Sequence, residues 1–147
     1  MLQPRYLYGM QSGPVEIEMF VHFDDGDPAG IAFFANYFRL AERAFELSLN
    51  NSPITWQEWF DHPEWGVPLK HVEAEYKRPL RPGHKCFVRQ RVTELGDSSL
   101  VLLSEVLDDQ KNLCAEVRTT HVFINKQLMK KMSIPDHIRA FLKSRLE

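Results

Sequence analysis

The sequence predicts an α+β domain in which one long helix packs on a mostly antiparallel sheet, and three observations carry the prediction. A stretch ending at Asn50 repeats apolar residues at helical spacing over about four turns. From Val67 onward, strand-like runs follow one another across short polar turns, a pattern that favours antiparallel neighbours. The 147 residues, 44% apolar and 12% aromatic, suffice for one core without a second.

Residues 1 to 13 read as a loosely held arm. Val15, Ile17, Met19 and Val21 then alternate with Glu16, Glu18, Phe20 and His22, the period of a strand. That strand delivers the chain to an acidic turn, where Asp24, Asp25 and Asp27 crowd together. Gly26 and Gly30 permit backbone angles that other residues resist, while Pro28 fixes one dihedral and removes a donor.

The long helix follows directly. Phe34, Phe38, Ala41, Phe45 and Ser48 form its apolar stripe, broadened by Phe33, Tyr37, Ala44 and Leu47. Asn36, Arg39, Glu42, Arg43, Glu46 and Asn50 form a narrower polar stripe, on which Arg39 with Glu42 and Arg43 with Glu46 are spaced to pair. Asn51-Ser52-Pro53 breaks the pattern. Thr55 to Phe60 forms a short helix capped by Ser52 or Thr55, ended by His62-Pro63. The aromatic residues Trp56, Trp59, Phe60 and Trp65 read as core before they read as the wall of a ligand pocket.

Strands are expected at 67–80, 84–95, 99–108 and 112–125, the second beginning after the turn Arg81-Pro82-Gly83. The run 99–108 is apolar on both faces, which predicts one face against the helix and the other against a partner or a further layer. In the last strand, Val117, Thr119, His121 and Phe123 share one side. Pro135 opens a closing helix through Leu146, with Ile138, Phe141 and Leu142 as its buried stripe. With no repeat, low-complexity tract or long linker, residues 1–147 form a single domain.

Composition excludes several classes of function. A net charge of -2, from 18 basic and 20 acidic residues, argues against nucleic-acid binding, so any anionic ligand must be met locally. No apolar run approaches the roughly 20 residues that span a bilayer, and residues 1–10 lack the plan of a secretory signal. A cytoplasmic protein without membrane association is expected. Cys86 and Cys114 lie far apart and read as reduced thiols, and the six histidines show no metal-ligand spacing. His22 is close in sequence to Asp27 but reads as non-catalytic, and no serine or cysteine nucleophile signature accompanies it.

The chemistry therefore falls on the junction of turn and helix. The first backbone N–H groups of a helix lack intrahelical acceptors and sit at the positive end of its dipole. An oxyanion developing near Phe33 and Phe34 would be stabilised there, with carboxylates a few residues away.

The run Phe23-Asp24-Asp25-Gly26-Asp27-Pro28-Ala29-Gly30-Ile31, followed by an aromatic pair and Asn36-Tyr37, resembles the signature of the 4-hydroxybenzoyl-CoA thioesterase family. Pro68 to Tyr76, then Pro79 and Gly83, is similar to the strand and turn that follow the helix in this family and its naphthoyl-CoA thioesterase relatives. The resemblance implies the hot-dog fold, with a curved sheet around the central helix, and hydrolysis of an aryl- or acyl-CoA thioester to free acid and CoA. It puts Asp27 in the place of the catalytic aspartate, as nucleophile or general base, and the backbone N–H at Phe34 in the place that polarises the thioester carbonyl. Phe33 and His71 become substrate-binding candidates, and Asp25 a structural acid. Phe34 stands where some members carry tyrosine, which bears on the acyl pocket more than on the reaction.

The same resemblance implies no cofactor, coenzyme A entering only as part of the substrate. It implies a homodimer, or a tetramer of two such dimers, in which His71 of one chain approaches Asp27 of the other. Lys126, Lys130 and Lys131 beyond the last strand read as solubilising residues before they read as contacts to coenzyme A phosphates. Other readings stay open: a thioesterase for acyl carrier protein or long fatty acyl-CoA, a hydratase or dehydratase, and a protein that binds acyl-CoA without hydrolysing it. Glu42 and Glu46 stay open as well, since another branch of hot-dog thioesterases takes its carboxylate from the helix.

Overall fold

The computed structural model describes residues 13–146, so the expected N-terminal arm lies outside the described residues apart from Gly13. Strands β1 (Val15–Phe20), β3 (Leu69–Tyr76), β4 (Lys85–Leu95), β5 (Ser99–Leu107) and β6 (Leu113–Val122) form one sheet in the order β1-β4-β5-β6-β3. Every neighbouring pair is antiparallel. Helix α1 (Asn36–Leu49) crosses β1, β4, β5 and β6. Helix α2 (Trp56–Phe60) and helix α3 (Asp136–Lys143) close one end.

The expected helix is real but starts later, because residues 33–35 are taken by a turn in which Asn36 N–H donates to the Phe33 carbonyl at 2.9 Å. Its buried face is Tyr37, Leu40, Ala41, Ala44, Phe45 and Ser48. Leu40 was missing from the expected stripe, while Phe34 and Leu47 are exposed. Asn36, assigned to the polar stripe, is buried and donates through Nδ2 to the Asp25 carbonyl at 2.9 Å. Neither expected i,i+3 ion pair forms among the described residues: Arg39 reaches Asn36 Oδ1, and Glu46 accepts from the Trp56 indole at 2.7 Å.

Thr55, not Ser52, caps α2, accepting from Glu58 N–H while Glu58 accepts from Thr55 N–H. Trp59 and Trp65 are buried with Phe45, Phe123 and Phe141 and Phe60 packs against them, as the core reading expects, whereas Trp56 is exposed. The strand expected at 67–80 is shorter, and two-residue strands β2 (Trp65–Gly66), β7 (Ile124–Asn125) and β8 (Lys130–Lys131) make a second small sheet. Strand β5 buries Leu103 and Leu107 as well as Leu102 and Val106. The cross-strand neighbours of Leu103 are Arg91 and Arg118, whose aliphatic stems can shield it while Arg91 pairs with Glu105 at 2.6 Å.

Between α1 and the sheet, buried Gln90 donates to the Ala41 carbonyl at 2.8 Å and to Ser104 Oγ at 2.9 Å, fixing the helix on the strands. Cys86 and Cys114 are free thiols in the core, pushed up by burial to about 12 and about 11 respectively, which makes them poor nucleophiles. Among the described residues no helix is long and apolar enough to cross a membrane.

Candidate active site

The acidic turn is built around two carboxylates that face opposite ways. After a single 3₁₀ turn at Phe23–Asp25, Asp25 is buried, with Oδ2 accepting from His22 N–H at 2.9 Å. Its carbonyl accepts from Phe33 N–H and from Asn36 Nδ2, so one residue ties the start of the turn to the start of α1. Asp25 is a structural acid by position. Asp27 is half-buried instead, and its Oδ1 accepts from Ala29 N–H at 2.8 Å. The other carboxylate oxygen, Oδ2, makes no hydrogen bond among the described residues.

Backbone bonds hold Asp27 in place: its N–H donates to the Ile31 carbonyl at 2.9 Å and its carbonyl accepts from Gly30 at 3.0 Å. Gly30 has φ of +78°, the conformation for which glycine was expected. Gly26 has no such angle and is needed for another reason, since a Cβ there would lie 2.8 Å from Pro82 Cγ.

Asp27 opens into a cleft of about 430 Å³ lined also by Ile31, Phe33, Phe34, Tyr76 and the segment Lys77 to Pro79. Phe33 and Phe34 are exposed, with ring centroids 4.6 Å apart. The Phe33 N–H is taken by Asp25, which removes one of the two expected anion-stabilising donors. The Phe34 N–H has no acceptor among the described residues. Because a trans peptide directs its C=O and N–H oppositely, and Phe33 C=O is turned onto Asn36, the Phe34 N–H is directed away from the helix. The Phe34 carbonyl is held in turn by the Tyr76 hydroxyl at 2.8 Å.

The structure therefore brings Asp27, Phe33 and Phe34 to one cleft, and leaves His71 out of it. His71 stands exposed on β3, 3.6 Å from Glu73. His22 is exposed, packs edge-on against Phe20 and does not line the cleft. The Glu42 carboxyl is pushed up by partial desolvation and by Glu46, yet neither acid lines the cleft. Tyr76 was legible only as part of a strand motif, and nothing in sequence spacing links it to a peptide 42 residues away. Among the described residues no group of three or more His, Cys, Asp or Glu side chains is arranged to hold a metal ion.

The profile of the thioesterase-like superfamily matches residues 21–142. The chain belongs to the thioesterase-like superfamily. Among curated relatives, the 1,4-dihydroxy-2-naphthoyl-CoA hydrolase of Rippkaea orientalis is 29% identical, over 84% of this chain and 91% of its own. The enzyme of the same name from Synechococcus sp. (strain CC9605) is also 29% identical, over 92% and 94%. A 1,4-dihydroxy-2-naphthoyl-CoA thioesterase structure from Synechocystis superposes with a TM-score of 0.82 at 22% identity, covering 88% of this chain and 96% of that one. A gentisyl-coenzyme A thioesterase superposes at 0.75 with 26% identity, over 85% and 99%. This superfamily member has the hot-dog fold, α1 lying against an antiparallel sheet as the α+β reading expected.

Proposed function

We propose that this protein hydrolyses an acyl-CoA thioester, with Asp27 as the reacting carboxylate and the Phe34 N–H as the donor to the thioester oxygen. The observation that carries the proposal is their convergence: a carboxylate oxygen and a backbone N–H, both without partners among the described residues, belong to residues lining one cleft. Two routes fit this arrangement. In one, an Asp27 oxygen adds to the carbonyl carbon, the C–S bond breaks, and CoA leaves as thiolate and is protonated; water then hydrolyses the mixed anhydride. In the other, Asp27 removes a proton from water as its oxygen adds to the same carbon, and the C–S bond breaks in turn. In both, charge grows on the oxygen facing Phe34, where one such donor contributes about 3 kcal/mol to transition-state stabilisation. The reaction draws on no cofactor beyond the coenzyme A of the substrate.

The names of the relatives support an aryl-CoA substrate, and the aromatic walls of Phe33, Phe34 and Tyr76 suit a flat acyl group. The narrower resemblance to 4-hydroxybenzoyl-CoA thioesterases makes hydroxybenzoyl-CoA one member of the panel to be tested. A homodimer, alone or paired again, is part of the proposal. It is supported by β3, an edge strand exposing Leu69, Val72 and Tyr76, on which His71 would meet the Asp27 cleft of a second copy. A cytoplasmic enzyme is in keeping with this substrate.

The test is thiol release from benzoyl-, hydroxybenzoyl-, dihydroxynaphthoyl- and fatty acyl-CoA by wild type, Asp27→Asn and Glu46→Gln. Asp27→Asn keeps an oxygen for the Ala29 N–H, so the fold survives while kcat drops by about a thousandfold or more. Glu46→Gln retains wild-type rates. Comparable activity in folded Asp27→Asn excludes the proposed role.

A further inference from the structure

Coenzyme A is strongly anionic, whereas the chain carries a net charge of -2, so its phosphates need a local cationic site. Lys77, Arg78 and Pro79 line the Asp27 cleft. A second groove, of about 240 Å³, is lined by Pro79, Arg81, His84, Lys85, Asp108 and Asp109 among others. The two hollows share Pro79, which joins them into a path with Asp27 on the wall of one and Arg81 on the wall of the other.

Most charges along that path are already engaged. Lys77 pairs with Glu75 at 2.9 Å, Lys85 with Glu18 at 3.3 Å, and His84 with Asp109 at 3.4 Å. Asp108 accepts from the N–H groups of Gln110 and Asn112, and these bonds hold its carboxyl below the usual range against the opposing effect of desolvation. Arg78 acts on Asp108 only through space. Arg78 and Arg81 are exposed; the Arg78 backbone N–H donates to the Cys114 carbonyl at 3.1 Å, and neither guanidinium makes a hydrogen bond or ion pair among the described residues.

Their distance from Asp27 is preset. Ala32 N–H donates to the Leu80 carbonyl at 2.8 Å, Leu80 N–H to the Tyr37 hydroxyl at 3.1 Å, and Gly83 N–H to the Val21 carbonyl at 2.8 Å. These bonds, with Gly26 packed against Pro82, fasten the β3–β4 turn to the acidic turn. The three lysines first considered for the phosphates stand elsewhere: Lys126 donates to the His62 carbonyl at 2.6 Å, Lys130 and Lys131 lie on β8, and none lines either hollow.

Resting on the acyl-CoA reading above, we propose that Arg78 and Arg81 bind the phosphate groups of the coenzyme A tail as it runs from the Asp27 cleft over Pro79. A guanidinium presents a planar fork of donors that matches a phosphate bidentately, and two of them flank the joint of the path.

The experiment compares a CoA thioester with the pantetheine thioester of the same acyl group, which has the same reacting atoms and no phosphate. Arg78→Ala and Arg81→Ala are each expected to raise KM for the CoA ester about tenfold with kcat within about twofold. Neither substitution changes KM or kcat for the pantetheine ester, and Arg78→Lys restores part of the loss. Added salt raises the wild-type KM for the CoA ester and does so less in the double variant. An unmoved KM for the CoA ester overturns the proposal, and so does an equal rise on both esters, which marks a structural effect. A wild type that cleaves neither ester overturns the acyl-CoA reading and this proposal with it.

Discussion

The core beside the first turns of α1 buries one aromatic ring among alanine, cysteine, valine and leucine side chains, and the core beside its last turns buries five. Ala32, Ala41, Ala44, Cys86, Cys114 and Ala115 share the half of the core beside Asp27 with valines and leucines, and Tyr37 is its buried aromatic. The far half is Phe45, Trp59, Trp65, Phe123 and Phe141. Small side chains let helix and sheet approach closely, so the near half leaves little room inside for rings. The aromatics of that end, Phe33, Phe34 and Tyr76, stand at the surface around the cleft. Large apolar area thus stabilises the fold at one end and is left open for a ligand at the other, with Gln90 bonded across the seam.

The sharpest way to break this division is to damage the far half. Trp59→Ala should cost about 3 to 5 kcal/mol, seen as a lower urea midpoint, because a buried indole leaves a cavity that the surroundings fill only in part. The folded fraction should keep its kcat; a kcat that falls with stability would mean that the halves are one unit.

Acid probes the same region without a substitution. His121 packs against both Phe45 and Trp59, 2.9 Å from Thr119 Oγ1, and burial pulls its imidazole down to about 4 from an ordinary 6.5. The unfolded chain therefore binds a proton that the folded chain refuses throughout that window. This contribution is whole above the unfolded value and is lost as pH falls toward the folded one, about 3 kcal/mol in all. Urea titrations between those limits should show the slope, and His121→Gln should flatten it.

A smaller effect is expected from overfilling the near half. Ala44 is fully buried, and Ala44→Leu should cost about 1 to 3 kcal/mol. Unlike Trp59→Ala, it should also reduce kcat about tenfold or more, since lifting the helix misplaces Phe34 relative to Asp27. Equal kcat in the two variants would erase the contrast. The smallest change is Tyr76→Phe, which removes the hydroxyl holding the Phe34 carbonyl. It should leave stability within about 0.5 kcal/mol, since an exposed hydrogen bond contributes little. It should lower kcat about fivefold, the equivalent of about 1 kcal/mol in positioning the neighbouring N–H.

The strands and helices were legible where periodicity was sustained. Alternation over Val15 to Phe20 placed β1, and Ile138, Phe141 and Leu142 placed the buried stripe of α3. The small sheet of β2, β7 and β8 was not, since strands of two residues have no period to read. Asn36 was sorted as solvent-facing because helical spacing describes direction and says nothing of a buried carbonyl waiting at Asp25. At the site, the acidic turn was visible as composition, but the choice of Phe34 over Phe33 as donor depends on which N–H the Asp25 carbonyl takes. Of the two arginines proposed for the phosphates, Arg78 falls within the strand expected at 67–80 and Arg81 within the turn after it, and the hollows they line include residues distant in sequence.

The contact between Gly26 and Pro82 limits how this enzyme can diversify. Two loops that interlock so closely are geared together, and lengthening either would throw the other out of position. Divergent descendants with new substrates should therefore differ in the rings along the crevice, at Phe33, Phe34 and Tyr76, while keeping the lengths of both loops unaltered.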